Sequence, residues 1–192
     1  MRKLVYYVGM SVDGFIAGPE GRTDDFPVTQ DVIDLIVEEF PDTLPTHVRA
    51  QLGVDVPNPN FAVVVQGRST YEPALDIGIT SPYAHLRQYV ASRSLGKGED
   101  PAVEVISTDV VGRIRELKAE ESGEGGDVYL AGGGGLAGAL LPEIDSLVIK
   151  LYPVVLGDGV PLFRVGFSPT HFTLRGTRTL EGGMVVLTYD RR

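Results

Sequence analysis

The sequence predicts an α/β fold: a mostly parallel sheet covered by helices on both faces, with an antiparallel hairpin at one edge. Three observations carry the prediction. The runs KLVYYVG (3–9) and FAVVV (61–65) are apolar without polar alternation, as in strands buried on both faces. Segments of helical periodicity separate such runs, which is the signature of parallel strands joined by crossovers. The stretch HFTLRGTRTLEGGMVVLTYD (171–190) changes character and reads as two strands joined by a turn near Glu181 to Gly183. At 192 residues a single domain spanning 1–192 is expected.

Taken in order, residues 3–9 form the first strand. Met10 to Pro27 form a loop punctuated by Gly14, Gly18, Pro19 and Gly21, leading to a helix that Thr29 is placed to cap. Val32, Ile33, Ile36, Val37 and Phe40 recur at the spacing of one helical face, and a second helix is expected over Thr46 to Leu52. The connector VDVPNPN then leads into the central strand 61–65. Further strands are expected at 86–91 (LRQYVA) and 103–106 (VEVI), with a mobile loop carrying Gly96 and Gly98 between them. Val110, Val111, Ile114 and Leu117 make the stripe of a helix that Ser107 to Asp109 can cap and that frays into EESGEGG. The clearest strand–helix–strand unit follows: DVYLA, then GGGGLAGALL stopped by Pro142, then SLVIKLYPVV.

Composition excludes several chemistries. The chain has no cysteine, so disulfides, thiolate metal sites and cysteine nucleophiles are absent. A net charge of −9 has the wrong sign for a general nucleic-acid binder. No apolar run reaches the ~18 residues of a membrane-spanning helix, and a cytoplasmic protein is expected. His47, His85 and His171 lack paired spacing, so no metal site is expected.

Three strand ends carry groups suited to an anion. Gly132 to Gly135 lie between a strand and a helix, where unpaired backbone N–H groups and the helix dipole favour phosphate and missing side chains allow close approach. Gly133, Gly135 and Gly138 satisfy G-x-G-x-x-G, but any glycine run does. Lys150 and Leu151 stand where a dinucleotide domain has its acidic residue, so a standard Rossmann domain is not indicated. Gly67-Arg68-Ser69-Thr70 offers a guanidinium fork and two hydroxyls at a second strand end, and Ser92-Arg93 stands at a third. Each turn alone is ordinary; together they describe a crevice for an extended polyanion such as a dinucleotide.

These pieces, YYVGMSVDGFIAG, VVVQGRSTYE, QYVASRSL, VYLAGGGGLAGALL and IDSLVIKLYPVVLGDGVPLF, resemble in order and spacing the dihydrofolate reductase-like superfamily. Within it they are most similar to the riboflavin biosynthesis reductase (RibD C-terminal) branch. The resemblance covers most of the chain. It implies a dihydrofolate reductase-like three-layer α/β/α fold, an NADPH-dependent oxidoreductase acting on a small-molecule substrate, and a homodimer. Carried over by position, Gly67, Arg68, Ser69 and Thr70 would hold the adenosine-side phosphates, with Ser92 and Arg93 near the 2′-phosphate. Gly132, Gly133, Gly134, Gly135 and Leu136 would line the pyrophosphate, and Ile16, Ala17 and the backbone at Gly9 would border the nicotinamide. Hydride transfer is the cofactor's own chemistry, so it needs no protein nucleophile or metal.

Two departures bear on the substrate. Riboflavin reductases of the branch usually carry lysine where Phe15 stands and glutamate where Ala131 stands, both facing the substrate. Their loss points away from a ribosylamino-pyrimidine phosphate and toward a flatter, less charged ligand. In dihydrofolate reductases a carboxylate on the first helix meets the pterin; Asp31 falls near that place, with Asp25 as alternative, although an acid in a helix's first turn also serves the dipole. The expected activity is reduction of a C=N or C=O bond in a pterin or aminopyrimidine, such as dihydrofolate or 5-amino-6-(5-phosphoribosylamino)uracil. A catalytically silent dinucleotide-binding module and a flavin or mononucleotide binder are the alternatives. Asp13 is expected to bond local backbone N–H groups, Gly157-Asp158-Gly159 to form a turn, GVPLF to pack at a subunit interface, and Tyr6 and Tyr7 to face opposite sides of the first strand.

Overall fold

Strand β1 (Leu4–Met10) sends Leu4, Tyr6 and Val8 into one buried layer and Val5 and Tyr7 into another. An apolar residue at every position is what burial on both faces requires. In the computed structural model, which describes residues 1–96, 100–121 and 126–192, β1 lies near the middle of an eight-stranded sheet. β1 pairs in parallel with β6 (Asp127–Gly132) and β7 (Ser146–Leu151). Beyond β6 come β3 (Phe61–Gly67), β4 (Arg87–Ala91) and β5 (Val103–Ile106), also parallel. All six strands therefore present their carboxyl ends along one rim. The C-terminal hairpin, β9 (Phe172–Thr179) and β10 (Val185–Arg191), occupies one edge, with β10 antiparallel to β7 and β9 outermost.

Helix α1 (Gln30–Glu39) covers one face through Val32 and Leu35. α2 (Thr46–Leu52) follows it, and α3 (Arg68–Asp76) begins directly at the end of β3 and buries Tyr71. The opposite face is covered by α4 (Val110–Ala119) and α5 (Gly134–Leu140), through Ile114, Leu117, Ala137 and Leu140. Each such apolar side chain, fully buried, stabilises the fold by ~1.5–3 kcal/mol relative to exposure. Among the described residues no helix is long and apolar enough to cross a membrane.

Several local expectations need correction. The loop from Met10 to Pro27 contains a short strand, β2 (Phe15–Ala17), which pairs with β8 (Val160–Pro161) far along the chain. Three- and two-residue strands carry too little periodicity to be read in sequence. Thr29 occupies the cap position of α1, but its hydroxyl donates to Asp31 Oδ1 instead of accepting a backbone N–H; Asp31 accepts from Val32 N at 3.0 Å. Asp109 does cap α4, accepting from Gly112 N at 3.0 Å. The strand of SLVIKLYPVV ends at Leu151, ahead of Pro153, which has no N–H to continue a ladder. The expected mobile loop at Gly96 and Gly98 and the fraying EESGEGG fall partly at 97–99 and 122–125, outside the described residues.

Gln66, 1% exposed at the end of β3, has neither amide atom hydrogen-bonded among the described residues. Gln88, similarly buried on β4, is satisfied: its Oε1 accepts from Tyr83 N at 2.8 Å and its Nε2 donates to Ser81 Oγ at 2.6 Å. A buried unpaired amide costs ~1–3 kcal/mol, so Gln66→Met, of similar length and apolar, is expected to raise stability by ~1 kcal/mol, or ~2–4 °C in Tm. A lower Tm for Gln66→Met would show that the amide has a polar partner.

Candidate functional site

The expected turns meet on the carboxyl rim of the sheet. β3 runs straight into α3 with Gly67 as the cap residue, and β6 runs through Gly132 and Gly133 into α5. A Cβ built on Gly67 would lie 3.5 Å from both Gly132 O and Gly133 N, so the two turns are in contact. Gly132 has φ +111°, a conformation that only glycine adopts without strain. A side chain on it would meet Thr70 Oγ1, Ile16 Cδ1 and Tyr6 OH at 3.9–4.0 Å. Ile16, Thr70 and the glycine run, read separately from three parts of the sequence, therefore surround one spot.

Arg68 joins the third turn to this centre. Its Nε donates to Glu72 Oε1 at 2.5 Å and its Nη1 donates to Ser94 Oγ at 2.7 Å, tying the first turn of α3 to the loop after β4. The Ser92 hydroxyl oxygen accepts the N–H groups of Ser94 and Leu95 at 3.3 and 3.0 Å, so Ser92 shapes that loop from a buried position. Arg93 is exposed and has no ion pair among the described residues. It borders a cavity of about 430 Å³ with Gly96, Asp100, Val103, Val105 and Ser107, at the ends of β4 and β5. Ser69 is exposed beside Arg68.

The four glycines are not equivalent. A Cβ on Gly134 would overlap the Pro161 carbonyl, and one on Gly138 would overlap the Arg164 carbonyl. Arg164 N donates to Gly134 O at 2.8 Å, so the segment 161–164 lies as a strap across α5. Leu162 O accepts from the Tyr6 hydroxyl at 3.2 Å and the Phe163 ring meets Tyr6 edge-on. Part of GVPLF thus packs within the chain, against α5 and Tyr6, and Val160 to Phe163 stay partly exposed. A Cβ on Gly133 would meet Thr70 Oγ1 at 3.9 Å and one on Gly135 would enter open space, with Leu136 partly buried next to it.

Asp13 bonds backbone N–H groups, as expected, but those of Leu156 and Gly157 far along the chain and not only local ones. It accepts from Ser11 Oγ at 2.6 Å and from the N–H groups of Leu156 and Gly157 at 3.1 and 2.7 Å, which hold it below the usual carboxylate range. The Gly157–Gly159 turn is thereby fixed beside β2, where Gly159 abuts the Ala17 carbonyl. Asp31 is committed elsewhere: Thr29 and Val32 donate to Oδ1, and Gly182 N in the β9–β10 turn donates to Oδ2 at 2.9 Å. These donors lower its pKa and make it a tie between α1 and the hairpin. Asp25 is half-exposed and lies 3.7 Å from Arg22. Asp31 thus has both carboxylate oxygens engaged, whereas Asp25 makes only an exposed pair with Arg22. Tyr6 and Tyr7 do face opposite sides of β1.

Lys150, noted in the sequence only as standing in place of an acidic residue, lies on the α1 face of the sheet. Lys150 lies opposite Gly9 in the β1–β7 register, with Nζ 4.3 Å from the centre of the Tyr7 ring. Burial lowers its pKa to about 8. The signal was a lysine in an otherwise apolar strand, SLVIKL. Among the described residues no group of His, Asp or Glu could hold a metal ion.

No protein-family model matches the chain. Two Bacillus subtilis proteins of uncharacterised activity are similar over nearly the whole length. YwjB is 31% identical over 99% of this chain and 98% of its own, and YyaP is 23% identical over 98% and 94%. Among solved structures, a Shewanella sp. PV-4 protein named for riboflavin biosynthesis superposes with a TM-score of 0.70 at 23% identity, over 99% of each chain. A Thermotoga maritima diaminohydroxyphosphoribosylaminopyrimidine deaminase/5-amino-6-(5-phosphoribosylamino)uracil reductase gives 0.64 at 15%, covering all of this chain and 57% of that one. Enterococcus faecalis dihydrofolate reductase complexed with NADP(H) gives 0.61 at 17%, over 99% and 96%.

Proposed function

The chain belongs to the family of Bacillus subtilis YwjB and has the dihydrofolate reductase-like fold, and from this premise we propose that it is an NADPH-dependent reductase of a small pterin- or aminopyrimidine-type heterocycle. The observation that carries the reading is the contact between the Gly67–Thr70 turn and the Gly132–Gly133 turn, with Arg68 linking both to the loop of Ser92 and Arg93. Glycines that bare the backbone, hydroxyls and a guanidinium are the donors a pyrophosphate needs. Arg68, Ser69 and Thr70 would bind the phosphates beside the glycine run, and the free guanidinium of Arg93 would meet a 2′-phosphate. The cofactor supplies a hydride when bound. Ile16, Ala17 and Gly9 would fix the plane of its ring against the substrate and exclude water from that face.

The test is thermal unfolding with NADPH, NADH or FMN in excess. At 100 times its dissociation constant NADPH is expected to stabilise by ~2.7 kcal/mol, or ~5–11 °C for a chain of this size. NADH should give less, and Arg68→Ala should lose most of the NADPH shift while Arg115→Ala, an exposed arginine paired with Glu143, keeps it. Pterins and aminopyrimidines are then offered with NADPH and its oxidation followed. A shift with FMN alone, or equal shifts in both arginine variants, would sink the assignment.

A further inference from the structure

Lys150 is the one cation set into the α1 face of the sheet whose charge has no counter-ion among the described residues. It sits one residue before the end of β7, between Gly9 on β1 and Val186 on β10, and is partly buried. Its ammonium lies on the Tyr7 ring, and Tyr7 packs in turn on Phe40, which follows α1. Of the titratable and charged groups on this face, Tyr7 lies under the ammonium and Tyr152 stands two residues on, both pushed upward by burial, while Arg178 of β9 lies in register beyond Val186. Carboxylates on the segments that cover this face are engaged with other donors, and Glu39 at the end of α1 pairs with Arg178. Asp31 accepts from Thr29, Val32 and Gly182, and Asp42 accepts from the N–H groups of Asn60 and Phe61. A lone ammonium in this position costs stability, since a cation–π contact only partly replaces hydration.

Lys150 also stands level with Gly9, the backbone expected to border the reacting ring. A lysine offers three donors and no acceptor. It cannot read the amino or amidine edge of a heterocycle, as a carboxylate does, and reads an edge of carbonyl oxygens or an ionised imide. We infer that Lys150 is the specificity-determining residue of the substrate side, selecting heterocycles that present an oxo or oxyanionic edge to the α1 face. The inference rests on the reductase reading for the location of the substrate. With Asp31 tied to Thr29, Val32 and Gly182, it favours an oxo-pyrimidine over a ligand held through its amino groups.

Binding of uracil, diaminouracil and diaminopyrimidine is measured by calorimetry with wild type, Lys150→Met and Lys150→Arg, each with and without NADPH. Wild type is expected to bind the two oxo-heterocycles and to discriminate against diaminopyrimidine. Lys150→Met should lose at least ~tenfold in affinity for them, and Lys150→Arg should recover part of it. Two further readouts separate this from a packing role. Lys150→Met should have a Tm equal to or above that of wild type, because a desolvated charge is removed. Wild-type stability should rise with pH above about 8, where the folded lysine loses its proton and the unfolded one keeps it, and Lys150→Met should lack that rise. Oxo-heterocycle affinity in wild type should fall over the same pH range. Equal affinities in wild type and Lys150→Met, preference for diaminopyrimidine, or no binding of any probe would overturn the inference. A normal NADPH shift alongside that failure leaves the reductase reading standing. Lys150-dependent binding without any NADPH shift removes the cofactor reading and keeps Lys150.

Discussion

Asp42→Ala is expected to destabilise the protein by roughly 3 kcal/mol, about 6–12 °C in Tm, measured by thermal unfolding at neutral pH. Asp42 is fully buried in the turn after α1, yet among the described residues it has no arginine or lysine ion-pair partner. Its Oδ2 accepts the N–H groups of Asn60 and Phe61, each at 2.7 Å, and its Oδ1 accepts from Asn60 Nδ2 at 3.2 Å. These are the first donors of β3, reached before its ladder with β6 begins at Phe61. Alanine would leave two backbone N–H groups unpaired, that of Phe61 buried and that of Asn60 partly so, and such groups cost more than a lost average hydrogen bond. Asp42→Asn keeps an acceptor oxygen and is expected to lose less than half as much. Equal losses for the two variants would mean that the charge, not the N–H groups, is what the site requires.

Asp42 also illustrates what sequence can and cannot convey. β1, β3 and β6 were readable because burial on both faces forces apolar residues at successive positions, and α1 and α4 because one face of each must be apolar. PDT after Phe40 carries no comparable signal: a buried aspartate looks like any loop aspartate until its partners, eighteen and nineteen residues away, are known. The same limit separates Asp13 from Asp31. Asp13 was read from the adjacent glycine, a local cue that backbone N–H groups would be near, although the N–H groups it binds belong to Leu156 and Gly157. Asp31 was placed by analogy with a substrate-facing carboxylate, and its tie to Gly182 depends on how the hairpin folds back over α1. Arg68, Thr70 and the glycine run were individually legible as turn chemistry, and Ile16 came only from the family resemblance. Their meeting around Gly132 is set by strand order β3–β6–β1, which no local pattern encodes.

Alanine at Gly135 and at Gly138 should have opposite effects on stability, although both glycines lie in α5 and three residues apart. Gly138 faces the strap: a methyl group there would overlap the Arg164 carbonyl, which belongs to backbone and cannot rotate away. Gly138→Ala is expected to cost ~3 kcal/mol, at the upper end of overpacking losses, by lifting 161–164 off the helix. Gly135 is exposed and a methyl group there meets nothing within 4 Å. Alanine removes the backbone entropy penalty of a helical glycine, so Gly135→Ala is expected to raise stability by ~0.5 kcal/mol. A glycine that makes the free protein less stable and fills no packing need has its use where something else approaches the helix. Gly135→Ala should therefore weaken NADPH by ~tenfold or more, about 1.4 kcal/mol, in calorimetric titration of a protein that melts higher than wild type. Unchanged NADPH affinity in Gly135→Ala would move the pyrophosphate off the glycine run and leave Gly133 and the Gly67–Thr70 turn to hold it.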